Sequence, residues 1–181
     1  MPAPESLALA TTVDTPDGPF TLIAGERGVL ASGWTADVEQ LVPLIHTAVR
    51  PTRITTDPAA VTAAGRELTR TAAEAVRAYY AGDLSAPGRI PVAQHSGDFR
   101  MRAWDVLREV PAGSPVTYTE YAAAAGRPSA VRAAAGACAL NAAALFVPCH
   151  RVVRTDGSLG GFRYGLDLKR SLLAREDPAA R

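Results

Sequence analysis

The chain has 181 residues, of which 48% are hydrophobic, with a formal net charge of +1 and two cysteines. That length suits one medium domain or two small packed ones, and no apolar run approaches the ~18 residues of a membrane span. The charge is uneven: residues 1–95 carry seven arginines against ten acidic groups, a balance of −3, whereas residues 96–181 carry twelve basic against eight acidic groups, a balance of +4. A polyanion-binding face is therefore expected in the C-terminal half. With Glu5 and no basic residue ahead of Leu7, the N-terminus does not read as a secretory signal. Cys138 and Cys149 are expected to be reduced thiols in a cytoplasmic protein.

Residues 8–35 read as a β-meander. A first strand over 8–13 ends in the dense turn signal Asp14-Thr15-Pro16-Asp17-Gly18-Pro19, a second covers 20–24, Gly25-Glu26-Arg27-Gly28 turns the chain, and a third covers 29–34. Val38, Leu41, Val42 and Ile45 stand at helical spacing and predict a helix over 36–49, with His46 at its end as a surface or half-buried residue. Ile54-Thr55-Thr56 is a further strand candidate. Asp57-Pro58 is expected to open a longer helix whose stripe is Val61, Leu68, Ala72, Ala75, Val76 and Tyr79, ending near Gly82. Residues 84–95, with Pro87, Gly88 and Pro91, read as an extended crossing segment, and His95 has no partner near it in sequence.

From Ser96 the texture is helical. Phe99, Ala103, Trp104, Leu107 and Val110 repeat at the helical period and predict a buried face over 99–110. Thr117 with Glu120 three residues on forms a capping box for a short helix over 118–125. Gly126-Arg127-Pro128-Ser129 then leads into a second helix over 130–140, a helix-turn-helix pattern. Apart from Val131, Arg132 and Cys138, residues 130–139 are alanine or glycine. Such a face serves tight packing equally well as close approach to DNA. Val152-Val153 reads as strand, residues 154–158 as a turn and residues 159–165 as a glycine-rich loop without the context of a nucleotide-phosphate loop. A last helix covers 166–175, with Leu168, Leu172 and Leu173 inward.

The chemistry concentrates in Pro148-Cys149-His150-Arg151-Val152. A thiol attacks as its thiolate, so Cys149 needs a neighbouring cation, imidazole or helix N-terminus. His150 is next to it in sequence, although neighbours on a strand point to opposite faces, and an isolated cysteine is commonly a small buried hydrophobe. Zinc binding by Cys138, Cys149 and His150 lacks a fourth ligand at a suitable spacing, and no Cys-based zinc site is possible in residues 1–95. On these residues alone, nucleophile and packing residue both stay open.

This motif follows Asn141 and an Arg-bearing Ala/Gly helix, and precedes Gly160-Gly161-Phe162. In that setting the chain resembles the O6-alkylguanine-DNA alkyltransferases, also called methylated-DNA–protein-cysteine methyltransferases. The match runs without a gap over residues 99–176 and more loosely over the N-terminal half. The resemblance implies a mixed α+β fold. A ribonuclease-H-like small sheet with helices would occupy residues 1–95, and a mainly helical domain with a winged-helix-like helix-turn-helix residues 96–181. It implies single-turnover transfer of an alkyl group from O6-alkylguanine, with O4-alkylthymine as a second candidate lesion, after the base is flipped through the minor groove.

In that reading Cys149 is the acceptor, His150 takes its proton through a water and Glu176 orients His150. Asn141 braces the hinge before the active-site loop, and Tyr118 binds the base and helps protonate it as it leaves. Arg132 fills the vacated stack, with Ser129, Ala133 and Arg154 as further DNA contacts. Tyr118, Val152, Phe162 and Arg163 would form the guanine pocket, and Lys169 would act through local electrostatics. The resemblance implies no cofactor and no metal. It implies double-stranded DNA as partner, no membrane, and a monomer that is cytoplasmic and nucleoid-associated when on DNA. Phe162 stands where many members have Tyr, and Phe162-Arg163-Tyr164-Gly165 is nearer to Ada-type C-terminal domains. The Cys-rich zinc domain of those proteins has no counterpart in these residues, so a transcriptional role is not expected. Ala142 replaces a frequent proline, which is expected to loosen the hinge.

Overall fold

The structure, a computed structural model, describes residues 6–180; Glu5, used above in reading the N-terminus, lies outside them. The meander forms as β1 (Leu7–Thr15), β2 (Gly18–Gly25) and β3 (Gly28–Gly33), and β4 (Arg53–Thr55) joins β1 in parallel, giving the sheet order β3-β2-β1-β4. Both faces of this sheet are covered. Val13, Phe20, Leu22, Ala24 and Val29 meet Ala72, Val76 and Tyr79 of α1 (Ala63–Tyr80). Ala8, Ala10, Ile23, Leu30 and Ala31 meet Leu41 and Ile45.

Leu41 and Ile45 do not sit on the helix expected over 36–49. That stretch makes two single 3-10 turns, Val38–Gln40 and Val42–Leu44. Pro43 is the physical reason: it offers no N–H and its ring crowds the preceding turn, so an α-helix cannot run through it. The apolar spacing was real but served to cover a sheet. Asp57-Pro58 likewise opens only a 3-10 turn, Pro58–Ala60. The long helix starts five residues later, where Thr62 Oγ1 accepts the Gly65 N–H at 3.2 Å and donates to Glu26 at 2.6 Å. The ring of His95, which has no partner near it in sequence, lies 4.9 Å from that of the distant His46, and both are exposed.

The second half follows its pattern closely. Helix α2 (Asp98–Glu109) buries Ala103, Trp104 and Leu107. After the two-residue strand β5 (Val116–Thr117), α3 (Tyr118–Ala124) begins with both halves of the Thr117–Glu120 capping box in place, at 3.1 and 2.7 Å. Helix α4 (Val131–Ala139) turns Ala134 and Ala137 inward, where Trp104 Nε1 donates to the Ala137 carbonyl at 2.9 Å. Its alanines therefore serve tight packing on one face and leave Arg132 and Ala133 exposed on another. Strand β6 (Val152–Val153) pairs in parallel with β5, and α5 (Leu166–Glu176) is the last α-helix among the described residues.

One apolar cluster runs from Phe20 and Tyr79 through Trp104 and Tyr121 to Phe146, Cys149 and Leu172, so both halves share it. The halves also touch at β3. Ser32 N donates to Ala142 O and Ser32 Oγ to Ala144 O, each at 2.8 Å, so the segment ahead of Cys149 lies along the sheet edge. Beside it, the Tyr164 hydroxyl donates to Ser32 O at 3.2 Å. A Cβ on Gly33 would fall 1.8 Å from that hydroxyl oxygen, so residue 33 must be glycine for Tyr164 to dock. Gly33→Ala is expected to cost about 1–3 kcal/mol in urea unfolding through forced displacement of the ring. In a Tyr164→Ala background the same change should cost much less, and additive losses would contradict the account.

Candidate functional site

Residues 141–151 are all buried except for traces of surface, and they form the floor of the site. Asn141 holds their path. Its Nδ2 donates to Val147 O at 2.8 Å, and its Oδ1 accepts from Ala143 N at 3.1 Å and Gln94 Nε2 at 2.9 Å. Gln94 Oε1 in turn accepts the Ala142 N–H at 2.8 Å. With no proline at 142, where the hinge was expected to be looser, the backbone gains a tie instead. Ala142 leaves an N–H that a glutamine from the crossing segment captures. Gln94 carried no signal in the sequence, because its partner is 48 positions away.

Cys149 starts a short 3-10 turn, Cys149–Arg151. It opens on a cavity of about 400 Å³ whose walls include Tyr118, Cys138, Asn141, Phe162, Arg163 and Tyr164. Of the residues expected in the base pocket, Tyr118, Phe162 and Arg163 come together there. Val152 does not: its side chain is in the core, and its carbonyl accepts from Lys169 Nζ at 2.7 Å. Cys138 is half-buried and also lines the cavity. Tyr118 packs against Gly160, where φ is +73° and a Cβ would come within 3.0 Å of its ring. Glycine there satisfies both the left-handed backbone and the close approach. Arg163 reaches across to donate to Ala139 O at 2.5 Å, at the end of α4.

An adjoining open groove of about 550 Å³ is lined by Arg132, Arg154 and Thr155 together with Tyr118 and Gly160. Arg132, Ala133, Ser129 and Arg154 are all exposed, and Arg132 and Arg154 line this groove. The cavity holding the thiol and the groove holding the arginines thus share Tyr118 and Gly161 as a common wall.

Behind Cys149 lies a buried ionic cluster. Glu176 Oε1 accepts His150 Nε2 at 2.8 Å, Tyr79 Oη at 2.9 Å and Arg151 Nη2 at 3.0 Å, while Oε2 accepts Arg151 Nε at 2.9 Å. Arg151 Nη1 also donates to Val110 O at 2.7 Å. Burial alone would raise the Glu176 carboxyl, but its bonds to His150 and Arg151 outweigh this and hold it at about 2. Glu176 is therefore a carboxylate, which only accepts. Burial pushes His150 down, opposed by Glu176 and aided by the charges of Arg151 and Lys169. A neutral His150 facing a carboxylate must carry its proton on Nε2, which leaves Nδ1 as the basic nitrogen. No protein group among the described residues satisfies that Nδ1.

Cys149 itself is pushed up by burial, against the Asn141 amide and the charges of Lys169 and Arg163. The resting site holds a thiol rather than a thiolate, so its proton has to leave during reaction. Tyr118 is raised to about 12 by burial and by the two cysteines, with Arg154 opposing, and it stays a donor at neutral pH.

Lys169 does more than adjust local charge. It is fully buried on α5, and besides Val152 O its Nζ donates to Leu159 O and, at 3.3 Å, to Gly161 O. It fastens the glycine-rich loop over the cavity. Lys169, Leu172 and Glu176 form the inward stripe of α5, at the spacing of one helix face. Leu173 is only half-buried.

With this geometry in hand, comparison with known proteins is direct. A family model described as "6-O-methylguanine DNA methyltransferase, DNA binding domain" matches residues 98–178. The "Methylated-DNA--protein-cysteine methyltransferase" of Mycobacterium tuberculosis is 34% identical over 171 residues, covering 93% of this chain and 92% of that protein. A crystal structure of Mycobacterium tuberculosis OGT in complex with DNA superposes with a TM-score of 0.70 at 28% identity, covering 93% of this chain and 95% of that one. The "Bifunctional transcriptional activator/DNA repair enzyme Ada" of Escherichia coli is 47% identical over 90 residues, half of this chain, which spans only 25% of Ada's length. The fold is the mixed α+β fold of the solved structures, a small sheet with helices. The chain belongs to the methylated-DNA–protein-cysteine methyltransferase family.

Acid should undo the cluster in two stages. An unfolded chain protonates histidine near pH 6.5 and glutamate near pH 4.5, and both groups are lowered in the fold. Unfolding free energy should therefore be highest above about pH 7, fall as pH drops through about 6.5, and fall further from about 4.5 towards 2. Glu176→Gln should remove the lower stage and cost about 3–5 kcal/mol at neutral pH by stranding the buried Arg151. Urea titrations at a series of pH values read both; a flat profile from pH 7 to 4 would contradict the cluster's role.

Proposed function

We propose that this chain repairs DNA by direct reversal, taking the alkyl group of O6-alkylguanine onto Cys149 in a single turnover. One observation carries the reading: a buried thiol, backed by an imidazole–carboxylate pair, opens on a base-sized cavity beside an arginine-bearing groove on a helix pair. The DNA complex of the similar Mycobacterium tuberculosis protein supports DNA as the partner.

The target carbon lies inside the duplex, so the nucleotide has to leave the stack, at a cost of a few kcal/mol. Arg132 enters the vacated place from the minor groove and offsets part of that cost. Ser129, Ala133 and Arg154 hold the flanking backbone. In the cavity, Tyr118, Phe162 and Arg163 receive the base. The Cys149 proton passes to His150 Nδ1 through a bridging water as the sulfur attacks. The new S–C bond forms while the bond from carbon to O6 breaks, and the departing guanine takes a proton from Tyr118. Glu176 stabilises the imidazolium, Asn141 fixes the loop, and no group among the described residues is placed to hydrolyse the resulting thioether. No cofactor enters this sequence. O4-alkylthymine is a second candidate lesion for the same pocket.

The same proposal includes a division at residues 95 and 96. The sheet backed by α1 supports a ribonuclease-H-like reading of the first part. The β5–β6 pair beside α3 and α4 supports a winged-helix-like reading of the second. It also includes a monomer acting in the cytoplasm, nucleoid-associated when on DNA. No helix among the described residues is long and apolar enough to cross a membrane.

A methyl-labelled O6-methylguanine duplex tests the reading. Label should become protein-bound with wild type and not with Cys149→Ser, while DNA binding persists; transfer by the serine variant would overturn it. Arg132→Ala should slow transfer from duplex about tenfold, equivalent to roughly 1.4 kcal/mol of flipping cost. It should leave transfer from a free O6-alkylguanine base unchanged, since no flipping is needed there.

A further inference from the structure

Tyr79 lies on α1, in the half of the chain that supplies the sheet, yet its hydroxyl ends on the ionic cluster behind Cys149. It is fully buried and donates to the same Glu176 oxygen that accepts the His150 ring proton, at 2.9 and 2.8 Å. We propose that Tyr79 is a positioning residue for alkyl transfer, one that keeps His150 neutral and ready to accept the thiol proton by drawing charge from the oxygen they share.

The argument is electrostatic. A carboxylate oxygen with no other donor beside it would direct its full charge at the imidazole. That would stabilise the protonated ring, and an imidazole already protonated cannot take a proton from Cys149. Each further donor on Oε1 weakens this pull. Arg151 Nη2 supplies one at 3.0 Å and Tyr79 supplies another. Burial and the Glu176 charge push the Tyr79 hydroxyl far above its usual range, with Arg151 opposing, so it remains a donor throughout. The other charged groups acting on His150 are Arg151 from its own turn and Glu176 and Lys169 from α5; Cys149 shares the turn, and Tyr80 adjoins Tyr79 on α1. Unlike those charged groups, Tyr79 can lose its hydroxyl without changing any charge. Tyr80, its neighbour, sends its hydroxyl elsewhere, to Asp17 Oδ2 at 2.9 Å.

Tyr79→Phe keeps the ring in its place and removes one donor. The chain has three histidines, so the His150 ring nitrogens can be followed individually by NMR through a pH titration. The His150 midpoint should rise by about half a pH unit, a fraction of the one-to-three-unit effect of a direct charged neighbour. The acid limb of the single-turnover rate with O6-methylguanine duplex should rise with it. Tyr80→Phe should move neither. An unmoved His150 midpoint in Tyr79→Phe overturns the inference, even if stability or rate falls. Should that variant not fold, uniform replacement of tyrosine by 3-fluorotyrosine, a stronger donor, should lower the midpoint, and an unmoved one again overturns it. The catalytic consequence rests on the alkyl-transfer reading. Wild-type protein that takes up no alkyl group sinks that reading, whereas the NMR midpoint tests Tyr79 by itself.

Discussion

A carboxylate taken wholly out of water has to be surrounded by donors before the chain can close over it, and Glu176 is surrounded from three directions. Arg151 grips it with two nitrogens, His150 points its ring proton at it, and Tyr79 reaches it from the far half of the molecule. This one buried group sets the tautomer of His150, anchors the turn that carries Cys149, and ties α5 to α1. The sheet is thereby more than a support for the reactive half. It delivers Tyr79 to the cluster and, through Ser32, holds the segment between Asn141 and Cys149 against its edge.

Around that anchor, the site separates its tasks by environment. The thiol side is dry, so Cys149 rests protonated and requires a base at the moment of attack. The base side of the cavity is walled by aromatic rings that also brace the two halves: Phe162 lies 6.1 Å and Tyr164 5.5 Å from the Trp34 ring. The DNA side is wet and cationic, with Arg132 and Arg154 exposed. A buried lysine stitches the loop between these environments to β6. Charge that would be wasted at the surface is used where water is absent and its effect is greatest.

Much of this was legible in the chain itself. The Pro148-to-Val152 motif, the Thr117–Glu120 box and the stripe of α2 depend on neighbours a few residues apart, and local chemistry dictates them. The meander was visible for the same reason, since its turns are written in Pro, Asp and Gly. What escaped was long-range. Gln94 and Tyr79 are ordinary polar residues until the fold brings Asn141 and Glu176 to them. The resemblance gave Glu176 and Lys169 their roles, but periodicity gave no sign that either would be buried, and each finds partners that make burial tolerable. Over 36–49 the apolar spacing suggested a helix, but Pro43 broke it into turns that still cover the sheet. The resemblance placed Val152 in the pocket, whereas its side chain faces the core.

The central claim is that Cys149 is a consumable acceptor. Intact-mass analysis after incubation with excess O6-methylguanine duplex, followed by peptide mapping, tests it most directly. One methylene should be gained per molecule and should map to the peptide containing residues 149–151, with repair ceasing when every molecule is modified. A mass that stays unchanged, a methyl group found on Cys138 instead, or repair that continues beyond one event per molecule would contradict it.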